Sequence, residues 1–256
     1  MRTVGVVLAG GEGKRFRPLT YYIPKSMVPV GRSERPLLEY IVIWLHMAEI
    51  RDILVLVGYR WRQIVNYFGD GSRFGVNMKY LVDKAPYSST GGALKRAIDE
   101  GLLSEPTLAL IWYGDILAPV NIRELLSRHE EEGADATIVV SSGYRVPVGV
   151  VQMERDGSVK SVEEKPEVDM KVSIGVMAIE VKSATRIIKE YSLGHSFDIT
   201  GDLVPAMIKA GMKVRAMVHP GPWYDVGSSE RYEKLDHEHV EEMMGVSCEV
   251  PHYVHL

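Results

Sequence analysis

With 256 residues, 46% hydrophobic and 25% charged, the chain can bury a full core as one large α/β domain or a closely fused pair. A net charge of −4 argues against a nucleic-acid binder, and no apolar run approaches the ~20 residues of a membrane helix. The single cysteine, Cys248, excludes an intrachain disulfide and a cysteine-built zinc site, and the first strand starts too early for a secretory leader, so the cytoplasm is the expected compartment.

The apolar, β-branched run at 4–8 reads as a buried strand. It breaks into Gly10, Gly11 and Gly13, which let the backbone turn tightly and approach a ligand closely. Lys14, Arg15 and Arg17 follow at once, then Pro18-Leu19-Thr20 and Pro24-Lys25. A strand ending in bare amides and cations suits phosphate groups. Neither common phosphate loop fits. A dinucleotide fingerprint needs glycine where Phe16 stands, and a P-loop needs Ser or Thr after Lys14, where Arg15 stands. Each cation taken alone also reads as a solvated surface charge.

Helices are expected at 36–48, 60–67, 92–100 and 122–132, and strands at 53–58, 78–82, 108–114 and 136–140. Such alternation predicts a doubly wound, mostly parallel sheet with helices on both faces and ligands at the carboxyl ends of its strands. Shorter strands follow at 148–153, 158–166 and 172–180, with a turn at Asp156-Gly157, and are expected to form a second lobe on the same sheet. Helices at 182–190 and 200–210 and a strand at 213–218 lead to a final amphipathic helix at 229–244. That helix turns Tyr232, Leu235, Val240 and Met243 towards the protein. No repeat or linker divides the chain, so one domain is expected over 1–256, with halves at about 1–140 and 141–228 and a terminal helix and tail at 229–256.

Two aspartates stand out. Asp115 follows Gly114 at the end of a strand, and Asp225 lies in Trp-Tyr-Asp-Val-Gly (223–227), where it also reads as a helix N-cap. Glu163-Glu164-Lys165-Pro166 is by itself a charged turn. No His/Cys set has zinc spacing, and His195, His237 and His239 read as solvated.

The compound string Gly-Gly-x-Gly-x-Arg, Pro-Leu-Thr and Pro-Lys resembles the signature of the sugar-1-phosphate nucleotidylyltransferases, and the resemblance spans nearly the whole chain. It implies a Rossmann-like mixed sheet of the nucleotide-diphospho-sugar transferase type, with no room for the C-terminal β-helix of long members. It implies a nucleoside triphosphate and a sugar 1-phosphate as partners, without nucleic acid or membrane, and leaves homo-oligomerisation open. In such enzymes a sugar-phosphate oxygen attacks the α-phosphorus and pyrophosphate leaves. The resemblance assigns Leu8, Ala9, Gly10, Gly11 and Gly13 to the nucleotide, Arg15 to the triphosphate and departing pyrophosphate, and Lys25 to the α-phosphate. Asp115 and Asp225 match the family's metal-binding aspartates, which fits Mg²⁺ and its preference for one or two carboxylates plus phosphate oxygens. Gly149, Glu164, Lys165 and Gly175 fall to the sugar phosphate.

Residues 86–94, PYSSTGGAL, match the family's Gly-rich loop around base and ribose, adding Thr90, Gly91 and Gly92. Thr90-Gly91-Gly92-Ala93 looks more like mannose-1-phosphate guanylyltransferases than thymidylyltransferases. Asp83 stands where pyrimidine users often carry glutamine, and a carboxylate could accept from both guanine N1 and N2. Against guanine, Ser88-Ser89 replace the usual Leu-Gly and the loop is one residue longer. The expected substrates are GTP and a hexose (mannose) 1-phosphate. The alternatives are a glucose-1-phosphate thymidylyl- or uridylyltransferase, and a non-catalytic regulatory subunit, which typically lacks the arginine, lysine or metal aspartates. A phosphocholine transferase would need an aromatic cage, drawn from Trp112, Tyr113, Trp223 and Tyr224.

Overall fold

The structure, a computed structural model, describes residues 2–146 and 148–246; Cys248 and the last residues of the tail lie outside them. The first strand, β1 (Arg2–Ala9), leads through three one-turn helices, Lys14–Phe16, Leu19–Tyr21 and Lys25–Met27. A small ladder of β2 (Pro29–Val30) and β3 (Arg35–Pro36) then enters α1 (Leu37–Met47). Next come β4 (Asp52–Val57), α2 (Trp61–Phe68), β5 (Asn77–Val82), α3 (Ser89–Asp99), β6 (Thr107–Tyr113), β7 (Ile116–Leu117) and α4 (Ile122–Glu131). The second half runs β8 (Ala136–Arg145), β9 (Val150–Met153), β10 (Val159–Glu163), β11 (Glu167–Glu180), α5 (Val181–Glu190) and α6 (Val204–Lys209). It closes with β12 (Val214–His219), β13 (Tyr224–Asp225), α7 (Ser229–Glu233) and α8 (Val240–Met244).

Seven strands form one sheet in the order β12-β8-β11-β6-β1-β4-β5. The pairs β1–β4, β1–β6, β4–β5 and β8–β12 are parallel, while β11 runs antiparallel to both β6 and β8. Six strands therefore point one way, and their carboxyl ends share one edge. Strands β4 and β6 are buried almost along their whole length, as parallel strands covered on both faces should be. In β1 the side chains alternate between two core layers, Val4 and Val6 on one side and Val7 and Ala9 on the other. Leu38, Ile41, Ile64, Leu125 and Val240 cover one face, from α1, α2, α4 and α8. Leu94, Ala97, Ile187 and Met207 cover the other, from α3, α5 and α6.

Four expectations need correction. The second lobe does not lie wholly on the main sheet. Strand β11 pairs directly with β8, so β9 and β10 are left as a separate two-stranded hairpin whose residues are exposed almost throughout. Helix α3 starts at Ser89 rather than 92, because Gly91 and Gly92 have no side chains and their first turn fits against residues 195–197. The helix expected at 200–210 opens with a wider π-helical turn, Ile199–Leu203, ahead of Pro205, which has no N–H to return to the preceding turn. The final helix is broken into α7 and α8. Asp236 Oδ1 accepts from the backbone N–H of Glu238 (3.1 Å) and His239 (3.2 Å), competing with helical hydrogen bonding.

Candidate active site

The carboxyl edge of the sheet opens into a cleft of about 410 Å³ whose lining includes Leu8, Ala9, Gly10, Gly11, Lys25, Asp83, Thr90 and Asp115. A second, more open recess of about 410 Å³ adjoins it, lined by Glu12, Gly13, Lys14, Arg15, Lys25 and Gly227. Lys25 belongs to both and marks the junction. Gly13 sits in the left-handed region (φ 61°), and a Cβ there would lie 2.8 Å from Thr20 Cγ2 and 3.3 Å from Lys25 Cβ. Thr20 Oγ1 donates to the Gly13 carbonyl at 2.8 Å. The Pro-Leu-Thr segment thus folds the basic loop back so that Lys25 stands beside it. Lys14 and Arg17 both flank Glu12, at 3.3 Å and 3.7 Å. Arg15 instead reaches Gly227, where its Nη2 lies 3.3 Å from an ideal Cβ. Phe16, fully buried and edge-on to Tyr232 (5.5 Å between centroids), anchors that turn.

Backbone pairing brings the two segments that carry the aspartates side by side. Strand β13 runs antiparallel to β7, and the Val226 N–H donates to the Asp115 carbonyl at 2.8 Å. Asp115 pairs with the Lys25 ammonium and Asp225 with the Arg231 guanidinium. Asp225 Oδ1 is buried without a hydrogen-bond partner. The α7 N-cap is Ser228, whose hydroxyl accepts from Arg231 N, so Asp225 is not the cap. Among the described residues no cluster of three or more His, Cys, Asp or Glu could hold a metal unaided. Two carboxylates, one with an orphaned buried oxygen, suit a hard divalent ion that completes its shell with phosphate and water.

On the base side, Asp83 follows the end of β5. Its carboxylate leans against bare backbone: Cβ atoms built on Gly58 and Gly10 would lie 2.2 Å and 2.7 Å from Asp83 Oδ2. Part of Asp83 stays open to the cleft, but burial of the carboxyl pushes its pKa above the usual carboxylate range, partly opposed by Arg96. Thr90 also lines the cleft, yet its hydroxyl donates to Asp198 Oδ2 at 2.8 Å and accepts from Ile199 N at 3.0 Å. Gly91 and Gly92 face away, onto Phe197 and the His195 carbonyl, both 2.2 Å from an ideal Cβ.

The sugar-side residues fall into two groups. Gly149 and Glu164 adjoin one another in the excursion that leaves β8, with Glu164 Oε2 3.1 Å from an ideal Gly149 Cβ. Lys165 lies 3.6 Å from Glu164 and adopts φ 49°, a left-handed conformation unusual for lysine. Its charge contributes to holding the Glu230 carboxyl of α7 below its usual range, after the larger effect of Lys234. Gly175 stands elsewhere, in a bulged, left-handed stretch of β11 (φ 77°) whose missing Cβ makes room for Tyr113 at 3.2 Å.

Tyr113, named in the sequence only for an aromatic cage, lines the cleft and its hydroxyl contacts Thr200 Oγ1 at 3.1 Å; sequence reasoning missed the segment that carries Thr200. It also missed Ser26 in the lining, and Arg231, whereas Ser89 and Ala93 of the lining fall within the 86–94 stretch it singled out. Gly227 was visible in the Trp-Tyr-Asp-Val-Gly string; Arg231 carries no local signal. Trp112 cannot join an aromatic cage, since it is fully buried with its indole N–H on the Ile116 carbonyl at 3.0 Å. His237 is half-buried against Tyr232 rather than solvated. No helix among the described residues is long and apolar enough to cross a membrane.

A doubly wound sheet whose carboxyl edge opens into a cleft lined by a glycine loop, Lys25 and Asp115 defines an α/β protein of the kind that binds ligands at the carboxyl ends of its strands. The chain belongs to the nucleotidyl transferase family, whose profile matches residues 4–242. It is 30% identical over 240 residues to a UTP–glucose-1-phosphate uridylyltransferase of Synechocystis sp., covering 89% of this chain and 61% of that protein. It is 28% identical over 232 residues to a mannose-1-phosphate guanylyltransferase of Mycobacterium tuberculosis (89% and 62%). A glucose-1-phosphate thymidylyltransferase of Streptomyces griseus is 31% identical over 231 residues (87% and 62%). The chain therefore spans about three fifths of the length of these curated relatives. The fold matches that of HddC from Yersinia pseudotuberculosis, crystallised with GMP-PN, at a TM-score of 0.68 and 23% identity, over 91% of this chain and 97% of that one.

Proposed function

We propose that this chain transfers a nucleotidyl group from a nucleoside triphosphate to a sugar 1-phosphate, releasing pyrophosphate. The observation that carries this reading is that the cleft lined by the glycine loop, Lys25 and Asp115 adjoins a recess lined by Lys25, Arg15 and Gly227, with Asp225 two residues from Gly227 and its Oδ1 2.5 Å from an ideal Gly227 Cβ. The reaction joins two polyanions, so its barrier is mainly electrostatic and positional. The glycine loop offers backbone amides to the triphosphate. Arg15, with its planar fork of donors, holds the phosphates that leave, and Lys25 neutralises charge at the α-phosphorus. Asp115 and Asp225 would hold a divalent cation, Mg²⁺ by the hardness of the donor set. When bound, such a cation supplies charge neutralisation at the phosphate oxygens. Glu164 accepts from sugar hydroxyls, Lys165 binds the sugar phosphate, and Gly149 leaves room for them.

For the base we favour guanine, because the Asp83 carboxylate borders the cleft and can accept two donors from one base edge. Mannose 1-phosphate is the favoured sugar, on the Thr90-Gly91-Gly92-Ala93 string. Relatives acting on UTP, GTP and dTTP lie at similar identity, so the base is set by a few side chains rather than by overall likeness. The test is a matrix of nucleoside triphosphates against sugar 1-phosphates, read by pyrophosphate release. Release from no pair would refute the reading.

A further inference from the structure

Asp225 already has a cationic partner. Arg231 of α7 donates from Nη1 to Asp225 Oδ2, while Oδ1 is buried and unpartnered. The Asp225 backbone is fixed by its pairing with β7, and Arg15 approaches from the opposite loop across Gly227. The neighbours of Arg231 in α7 are tied elsewhere: Glu230 to Lys234, and the Tyr232 hydroxyl to the Pro29 carbonyl at 2.7 Å. Arg231 is the more exposed end of the pair, with 42% of its side chain accessible against 28% for Asp225. A carboxylate shared between a guanidinium and a divalent cation binds each more weakly, because the two positive charges repel. Lys25 plays the matching part on Asp115, but it faces the recess assigned to the phosphates.

We propose that Arg231 is a built-in counter-ion that competes with the divalent cation for Asp225. It compensates the carboxylate charge in the empty site and lowers affinity for the bare cation, so that the metal is retained mainly when nucleotide phosphates arrive with it. The proposal rests on the reading of Asp225 as a metal ligand.

The test is equilibrium binding of Mn²⁺ without nucleotide, following free Mn²⁺ by electron paramagnetic resonance. It uses the full chain as wild type, R231Q, R231K and D225N, with R231A as a second neutral variant and thermal melts to check folding. R231Q and R231A should bind Mn²⁺ about fivefold tighter, the scale of a half-exposed ion pair, and R231K should stay near wild type. Unchanged or weaker binding by the neutral variants overturns the counter-ion role, as does an absence of binding by wild type and both neutral variants. D225N distinguishes the two layers of the argument. If it binds as wild type does, the metal assignment itself fails and the proposal with it. If it binds more weakly while R231Q is unchanged, the metal site stands and only the counter-ion role is lost.

Discussion

Replacing Gly227 with alanine adds one methyl group where two candidate charged groups converge. An ideal Cβ there lies 2.5 Å from Asp225 Oδ1 and 3.3 Å from Arg15 Nη2. Non-bonded heavy atoms settle near about 3.5 Å, so the carboxylate oxygen must retreat by roughly 1 Å. The backbone of Gly227 is not left-handed, so alanine is not strained there. The obstructing atom is the tip of a side chain paired with a half-exposed arginine, so the fold accommodates the change. We expect a stability loss within about 1 kcal/mol, or about 2–4 °C in Tm. Chemistry is less forgiving, because a misplacement of about 1 Å at a reacting centre can lower turnover about a hundredfold. Pyrophosphate release at saturating substrates and divalent metal gives the first quantity, and a circular-dichroism melt the second. Turnover within a factor of about two of wild type, with the methyl group present, would refute the placement of Asp225 at the reacting phosphates.

Asp115→Asn and Asp225→Asn should each reduce turnover at least about a hundredfold with unchanged melting, through lost charge at the cation; either mutant turning over normally in excess Mg²⁺ removes that residue from the site. Arg15→Ala and Lys25→Ala should lower kcat more than they raise KM for the sugar phosphate, whereas Lys165→Ala should act mainly on that KM; initial-rate kinetics separate the two patterns. If Asp83 reads guanine, GTP should exceed dTTP and UTP in kcat/KM about tenfold to a hundredfold, and Asp83→Ala should erase most of the difference; a tenfold preference for either pyrimidine nucleotide sinks the guanine reading. Burial raises the Asp83 pKa in the folded state, so the native protein binds a proton there more readily than the unfolded chain does. Stability therefore falls as pH rises from the unfolded value through the raised folded one, and Asp83→Asn should melt higher than wild type at neutral pH. The advantage should vanish below about pH 3.9, and melting curves that never separate would refute the burial penalty.

Features that depend on local chain chemistry were legible. The β4 and β6 segments announce themselves as apolar runs because both faces of a parallel strand are buried. The loop of Gly10, Gly11, Gly13, Arg15 and Lys25 is compact enough for its residue types to state its chemistry. What escaped depends on contacts between distant parts of the chain. Strands β7 and β13 are two residues each and carry no periodic signal, yet their pairing sets the segments of Asp115 and Asp225 side by side. Gly91 and Gly92 stand in the first turn of α3, and their want of side chains is explained by Phe197 and His195, a hundred or so residues away. Asp236 broke a helix whose apolar pattern continues across it, because one short polar side chain can redirect two amides.

Three glycines at the ends of the strands serve two different purposes. Gly101 and Gly211 follow α3 and α6 at the amino-terminal end, in left-handed conformations (φ 73° each) with nothing within 4 Å of a would-be Cβ. A side chain there meets only backbone strain. At the other end, Gly114 lies outside the left-handed region, but its Cβ would sit 2.7 Å from the Leu8 carbonyl. A side chain there meets the neighbouring strand where the ligand edge begins. The two kinds of site differ in what a side chain costs: at Gly101 and Gly211 the cost is backbone strain alone, and at Gly114 it is displacement of β1 beside the cleft. Alanine at Gly101 or Gly211 should therefore lower the melting temperature and leave turnover unchanged, whereas alanine at Gly114 should lower both.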